Sequence, residues 1–153
     1  MNRRRAIALS QNECWELLAS SHTIVLSSID GRGYPHSVPM WYAVRDRRIL
    51  MTTYAKSQKT LNLQRNPRCC LLVETGSEYA ELRGVLVRGH AELTHDVDAV
   101  LDALGHIRIK HGLGGNAPEV AEAMRAHAAK RVLITVVPEH VASWDHRKLA
   151  GAY

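Results

Sequence analysis

The sequence predicts a β-rich α+β fold: about six short antiparallel strands curled into a small barrel, with a few helices packed on its outside. Three observations carry this. Short runs rich in β-branched and apolar residues recur between turn signals, HTIVLSSI, RILMTTY, CCLLVE and RVLITVV being the clearest. The longest run, ELRGVLVRGHAEL (81–93), holds Gly84 and Gly89 in its interior, where a sheet that curls needs bends or bulges. Only a few helical patterns interrupt these runs.

Taken in order, Ser10-x-x-Glu13 is a capping box before Trp15, Leu17 and Leu18, which predicts a helix over 10–20. HTIVLSSI (22–29) reads as a strand, and DGRG (30–33) turns the chain back into PHSVPMWYAV (35–44). A polar turn at 45–48 leads into RILMTTY (48–54). These three strands, joined by tight turns, read as an antiparallel meander. A helix over 57–65 follows. CCLLVE (69–74) and the TGSE turn then lead into the long glycine-bent strand. From Asp96 to about Lys110 the pattern is amphipathic, with Val97, Val100, Leu101 and Leu104 on one stripe. HGLGGNAP (111–118) is the most loop-like stretch. It lacks the Lys-Ser/Thr and the preceding strand of a phosphate-binding P-loop. Pro118, Glu119 and Glu122 open a helix ending at Lys130–Arg131, charges placed as the helix dipole prefers. RVLITVV (131–137) is the final strand, and SWDHRKLAGAY (143–153) is a polar tail anchored by Trp144.

At 153 residues the chain reads as one domain, 1–153, large enough for a real core. With 46% hydrophobic and 23% charged residues it is globular in composition rather than disordered. A formal charge of +5 favours an anionic partner. No interleaved aromatic–basic platform for nucleic acid accompanies that charge. Three cysteines, two of them the neighbours Cys69 and Cys70 that point to opposite faces of a strand, give no disulfide framework. A reducing, cytoplasmic setting fits them. No apolar run reaches the roughly 20 residues of a membrane span, and the basic start MNRRRAIAL leads into a capped helix rather than a cleavage site. His106 and His111 are five apart, splayed on a helix, and no metal-ligand spacing or hydrolase motif occurs.

Two segments carry chemistry. In MTTYAKSQKTLNLQRNP (51–67) an apolar strand runs into Thr52 and Thr53. A turn with Lys56, Ser57 and Lys59 follows, and a helix opens on top of these groups. Free N–H groups at a helix start, beside hydroxyl and ammonium donors, suit a phosphate ester. A solvated basic helix start would show the same spacing. In the strand PHSVPMWYAV, alternation puts His36, Val38, Met40 and Tyr42 on one face and Ser37, Pro39 and Trp41 on the other. Pro39 cannot donate to a ladder, so it marks either an ordinary sheet edge or a gap that leaves backbone groups free for a ligand's polar edge.

Four pieces in this order, DGRGYPHSVPMWYAV, TTYAKSQKTLNLQRNPRCCLLVE, ELRGVLVRGHAEL and SWDHRKLAGAY, resemble the pyridoxamine 5'-phosphate oxidase-like split-barrel flavoproteins. The closest resemblance is to their branch that uses the deazaflavin coenzyme F420. It implies a split β-barrel that forms a homodimer, with two cofactor sites at the subunit interface. It implies that Thr52, Thr53, Ser57, Gln58, Lys59 and Asn62 hold the cofactor's phosphate or the polar chain attached to it. The strand His36, Val38, Pro39, Met40 and Trp41 lies along the ring system. Trp144 and Lys148 stand near the cofactor mouth, supplied by the second subunit, and Tyr79 and Arg83 precede the curved strand. By this resemblance the tail 143–153 covers the partner's pocket, and its removal leaves the barrel intact because the main strands end near Val137.

One departure bears on the cofactor. Where the pyridoxamine phosphate oxidases carry an Arg and a Lys that grip the FMN phosphate, this strand has His36 and Trp41. Losing two cations removes charge-assisted hydrogen bonds to that phosphate. The reading is therefore an F420-dependent oxidoreductase that passes a hydride to a small electron-poor organic substrate, with His36, Tyr42 or water completing the protonation. The alternatives are the same fold holding FMN, and a non-catalytic binder of a flavin, haem or pyridoxal phosphate.

Overall fold

The computed structural model describes residues 3–114 and 118–149, and within the helix that opens the second stretch it describes side chains from residue 122 onward. Among the described residues five α-helices and seven strands follow one another as α1 (Arg3–Ala6), α2 (Gln11–Ser20), β1 (Ile24–Ile29), β2 (Pro35–Met40), β3 (Ala43–Arg45), β4 (Arg48–Tyr54), α3 (Gln58–Arg65), β5 (Arg68–Thr75), β6 (Arg83–Thr94), α4 (Val97–Lys110), α5 (Pro118–Ala128) and β7 (Arg131–Asp145). The strands form one antiparallel sheet in the order β2-β1-β5-β6-β7-β4-β3.

The two edge strands of this sheet, β2 and β3, are consecutive in the chain and joined only by Trp41 and Tyr42. Three peptide steps span at most about 11 Å, so the two edges must approach each other and the sheet must curl. The result is a split barrel. Its interior is filled by Leu18, Ile24, Leu26, Ile49, Met51, Leu71, Val73, Val85, Val87 and Ile134, all essentially inaccessible to solvent. A second apolar layer, Leu50 and Leu133 against Val100, Leu101, Ala103 and Ala128, holds α4 and α5 on the outside of β4 and β7.

The local signals formed as expected. Ser10 and Glu13 make the reciprocal capping box of α2, whose buried face is Cys14, Leu17 and Leu18. The Asp30 carboxylate accepts the N–H groups of Arg32 and Tyr34, closing the β1–β2 hairpin. Asp46 and Arg47 both take positive φ, as the tight β3–β4 hairpin requires. The β6 ladder shifts register at Arg88/Gly89, the bend that the glycine marked.

Three expectations are corrected. The strand over 35–44 is broken at Trp41–Tyr42 into β2 and β3. Its two halves lie at opposite sheet edges, and β4 pairs with β7 rather than with β2, so no three-strand meander forms. Turn residues fix a hairpin, but partners distant in sequence compete for every other edge. Finally, β7 does not stop near Val137. Ser143, Trp144 and Asp145 pair with Val85, Gly84 and Arg83. Their polarity is met locally: Ser143 Oγ accepts the Leu9 N–H (3.0 Å), the Asp145 N–H donates to Ile7 O (2.7 Å), and the buried Asp145 carboxylate accepts from Arg147. The tail thus begins inside the sheet as the end of β7, and residues 150–153 lie outside the described residues.

Candidate functional site

β4 delivers Thr52 and Thr53 to its end, and the chain then turns directly into α3. Ser57 is the N-cap residue by position but makes no side-chain cap hydrogen bond. Its hydroxyl instead meets Thr60 Oγ1 (3.0 Å) and Thr53 Oγ1 (3.4 Å). The first N–H groups of α3 are thereby left to another acceptor, and the helix dipole favours an anionic one. Lys59 reaches back and donates from Nζ to Thr53 Oγ1 (3.0 Å). Burial, and after it the charge of Arg131, pull Lys59 below the ordinary lysine range. Lys56 is exposed.

The sequence places Arg131 where the helix ends and the last strand, RVLITVV, begins. It opens β7, opposite Tyr54, and donates from Nη1 to Thr52 Oγ1 (3.2 Å) and to the Thr52 carbonyl (3.3 Å). Among the described residues neither Lys59 nor Arg131 forms an ion pair with a carboxylate. Two neighbouring cations without an acid thus stand beside an uncapped helix start, an arrangement with the charge and donors to hold an anion. Nothing local could have revealed Arg131, which is 79 positions from Thr52.

Asn62 is fully buried and ties this end to the β2 strand. It accepts from Gln58 Nε2 (2.8 Å) and donates from Nδ2 to Ser28 Oγ (3.1 Å). Ser28 sits directly opposite His36 in the β1–β2 register, so both project to the same, inner face. Val38 and Met40 continue that face beside Leu26 and Ile24, while Pro39 and Ser37 turn outward on the edge strand. The Nδ1 atom of His36 is buried without a hydrogen-bond partner. A buried polar atom left unpaired is costly, so His36 has hydrogen-bonding capacity to spare on this face. The phosphate-type donors and the His36 strand are thus brought together through one buried hydrogen bond.

Tyr79, Arg83, Trp144 and Lys148 gather elsewhere. Five residues of β5, about 17 Å of strand, separate Cys70, level with Ser27, from Thr75, level with Arg83. Arg83 lies 3.7 Å from Asp145, the Trp144 ring covers Gly84, and the Tyr79 ring tilts against His146 at 4.7 Å. Lys148 is engaged within its own chain, donating to Ala8 O (3.0 Å) and to Glu13 (2.9 Å). A cavity of about 930 Å³ beside Trp144 is lined also by Arg4, Arg5, Ile7 and Ala142. In one chain these four residues form a second cluster.

Trp41 is 45% exposed, with its indole stacked on His111. Tyr42, by contrast, is fully buried and its hydroxyl donates to the Leu18 carbonyl, and burial holds that hydroxyl well above the ordinary phenol range. The Tyr42 hydroxyl is therefore engaged within the core.

The model of the pyridoxamine 5'-phosphate oxidase family matches residues 10–145. No curated protein sequence matches the chain. Among solved structures, a conserved hypothetical protein from Mycobacterium tuberculosis is 37% identical, with a TM-score of 0.89 over 96% of this chain and 91% of that one. An F420 reductase is 23% identical (TM-score 0.66; 83% of this chain, 94% of that one). A FAD-binding protein from Mesorhizobium loti is 21% identical (TM-score 0.65; 89% and 94%). The last two share the fold. With the family model spanning nearly the whole barrel, the chain belongs to the pyridoxamine 5'-phosphate oxidase family.

Proposed function

We propose that this protein is an F420-dependent oxidoreductase that passes a hydride from reduced deazaflavin to a small electron-poor organic substrate. The observation that carries this is the pairing of an intact phosphate-type site at α3 with a β2 strand lacking cations. Lys59, Arg131, Ser57, Thr53 and the α3 N–H groups hold one phosphate or carboxylate firmly. His36 and Trp41 replace the two cations that the FMN site of the pyridoxamine phosphate oxidases uses. A fold neighbour that is an F420 reductase agrees with this reading.

When bound, the reduced deazaflavin supplies the hydride. The protein fixes its position from Lys59 at one end to the His36–Trp41 strand, and His36, with its unpaired Nδ1, hydrogen-bonds a ring edge or relays a proton. Electrostatics and orientation are the protein's contribution. The test is oxidation of reduced F420 followed in the presence of a quinone, a nitroarene and an unsaturated lactone. Enzyme-dependent oxidation with at least one acceptor is expected. Oxidation at the uncatalysed rate with all of them would leave a non-catalytic binder.

The working unit is a homodimer. Directly opposed residues Pro39, Val25, Leu72, Leu86 and Ala142 share the outward face of β2-β1-β5-β6-β7, because their neighbours Leu26, Leu71, Val73, Val85 and Val87 point inward and are buried. Among the described residues this apolar row is only partly covered, Pro39 being exposed and the other four half-buried, and a two-fold partner would complete the cover. It would also bring the partner's Trp144, on the same face, towards the β2 edge. Sedimentation at micromolar concentration should show a dimer, and Leu72→Arg should shift it to monomer. A wild-type monomer that still binds cofactor would remove the interface site.

A further inference from the structure

Lys110 and His111, at the C-terminal end of α4, lie over the Trp41–Tyr42 break between the sheet edges. The Lys110 ammonium sits 3.3 Å from the centre of the Tyr42 ring. The His111 imidazole lies flat on the Trp41 indole, centroids 4.0 Å apart and planes within 6°. His22 meets both rings edge-on, 4.4 Å from His111 and 5.6 Å from Trp41. Lys110 Nζ and both ring nitrogens of His111 are buried, and none has a hydrogen-bond partner. Among the described residues no carboxylate forms an ion pair with Lys110, His111 or His22.

The folded chain gains little from this arrangement. Burial lowers Lys110 to about 8, and burial, then His22 and Lys110, lower His111. The Tyr42 face and the end of the α4 dipole attract a cation but satisfy none of its N–H bonds. A methionine at 110 would fill the same space without the desolvation cost. Three basic groups and two aromatic walls with no anion describe a binding site rather than a packing solution.

We propose that Lys110 and His111 form a binding site for a planar carboxylic acid, its carboxylate held by the two basic side chains and its flat body laid against the Trp41 indole. Because the three nitrogens are covered, the ligand enters as the His111 ring leaves Trp41, whose exposed side is the entrance. Trp41 is the one residue shared with the candidate cofactor strand, so the acid would lie beside the ring system. Identifying it as the hydride acceptor rests on the proposed function, but the binding does not.

The experiment uses the full chain without cofactor. Sodium benzoate, acetate and inorganic phosphate are titrated while the histidine ring resonances are followed, and Lys110→Met and Lys110→Gln are compared with the wild type. Benzoate should bind saturably and more tightly than acetate or phosphate. Both variants should weaken it at least about tenfold, as expected for a lost charged hydrogen bond. Lys110→Met should at the same time melt at a higher temperature, which no structural role for Lys110 would allow. Absence of saturable benzoate binding, equal binding by the variants, phosphate binding as tight as benzoate, or a lower melting temperature for Lys110→Met would each overturn the site. Benzoate binding in a protein that binds no F420 would keep this site and remove only the proposed activity.

Discussion

Lys59→Ala is expected to weaken cofactor binding by about 1.5–3 kcal/mol, the usual worth of a hydrogen bond to a charged group. Lys59 is half-buried, fixed on Thr53, close to Arg131 and without an acid partner. An arriving phosphate relieves the repulsion between these cations, so their interaction with it exceeds that of an exposed lysine. Arg131→Ala should show a loss of the same order, since it removes the second cation and unpins Thr52. Lys56→Ala, at an exposed position before the helix, should matter much less. Isothermal titration of the three variants reads this directly. Equal losses for Lys56→Ala and Lys59→Ala would reduce the site to a diffuse basic patch.

Gly89→Ala should destabilise the fold by about 1–3 kcal/mol, as overpacking of a tight site does. Gly89 sits at the β6 register shift, and a Cβ there would strike the Val137 carbonyl of β7. Both parties are backbone in the longest strand pair of the sheet, so neither can rotate away. Gly31→Ala is the control, because its Cβ would meet only the Arg65 guanidinium at 3.5 Å, an ordinary contact. Denaturant melts should separate the two variants clearly. A Gly89→Ala protein as stable as Gly31→Ala would mean that β6 and β7 slide at this point without cost.

Much of this architecture is written in local chemistry. The Ser10–Glu13 box, the Asp30 turn and the amphipathic stripe of α4 each depend on residues a few positions apart, and each appears where the pattern puts it. The strand break at Trp41–Tyr42 is less legible, because a continuous apolar run does not say that its halves serve opposite sheet edges. The C-terminal strand is hidden by its own polarity, since Ser143 and Asp145 are satisfied by Leu9, Ile7 and Arg147. The candidate site divides in the same way. Thr53, Ser57 and Lys59 lie within one turn of chain and could be read together, whereas Arg131 joins them only through the β4–β7 register. The link from Asn62 through Ser28 to His36 likewise depends on which strands pair.

The central claim is cofactor choice, and parallel equilibrium titration of the purified protein with F420 and with FMN tests it most directly. The cation-free His36–Trp41 strand and the intact Lys59–Arg131 end predict that F420 binds at least about tenfold more tightly, roughly 1.4 kcal/mol. FMN binding as tightly as F420, or more tightly, would contradict the account and make this split barrel an FMN protein.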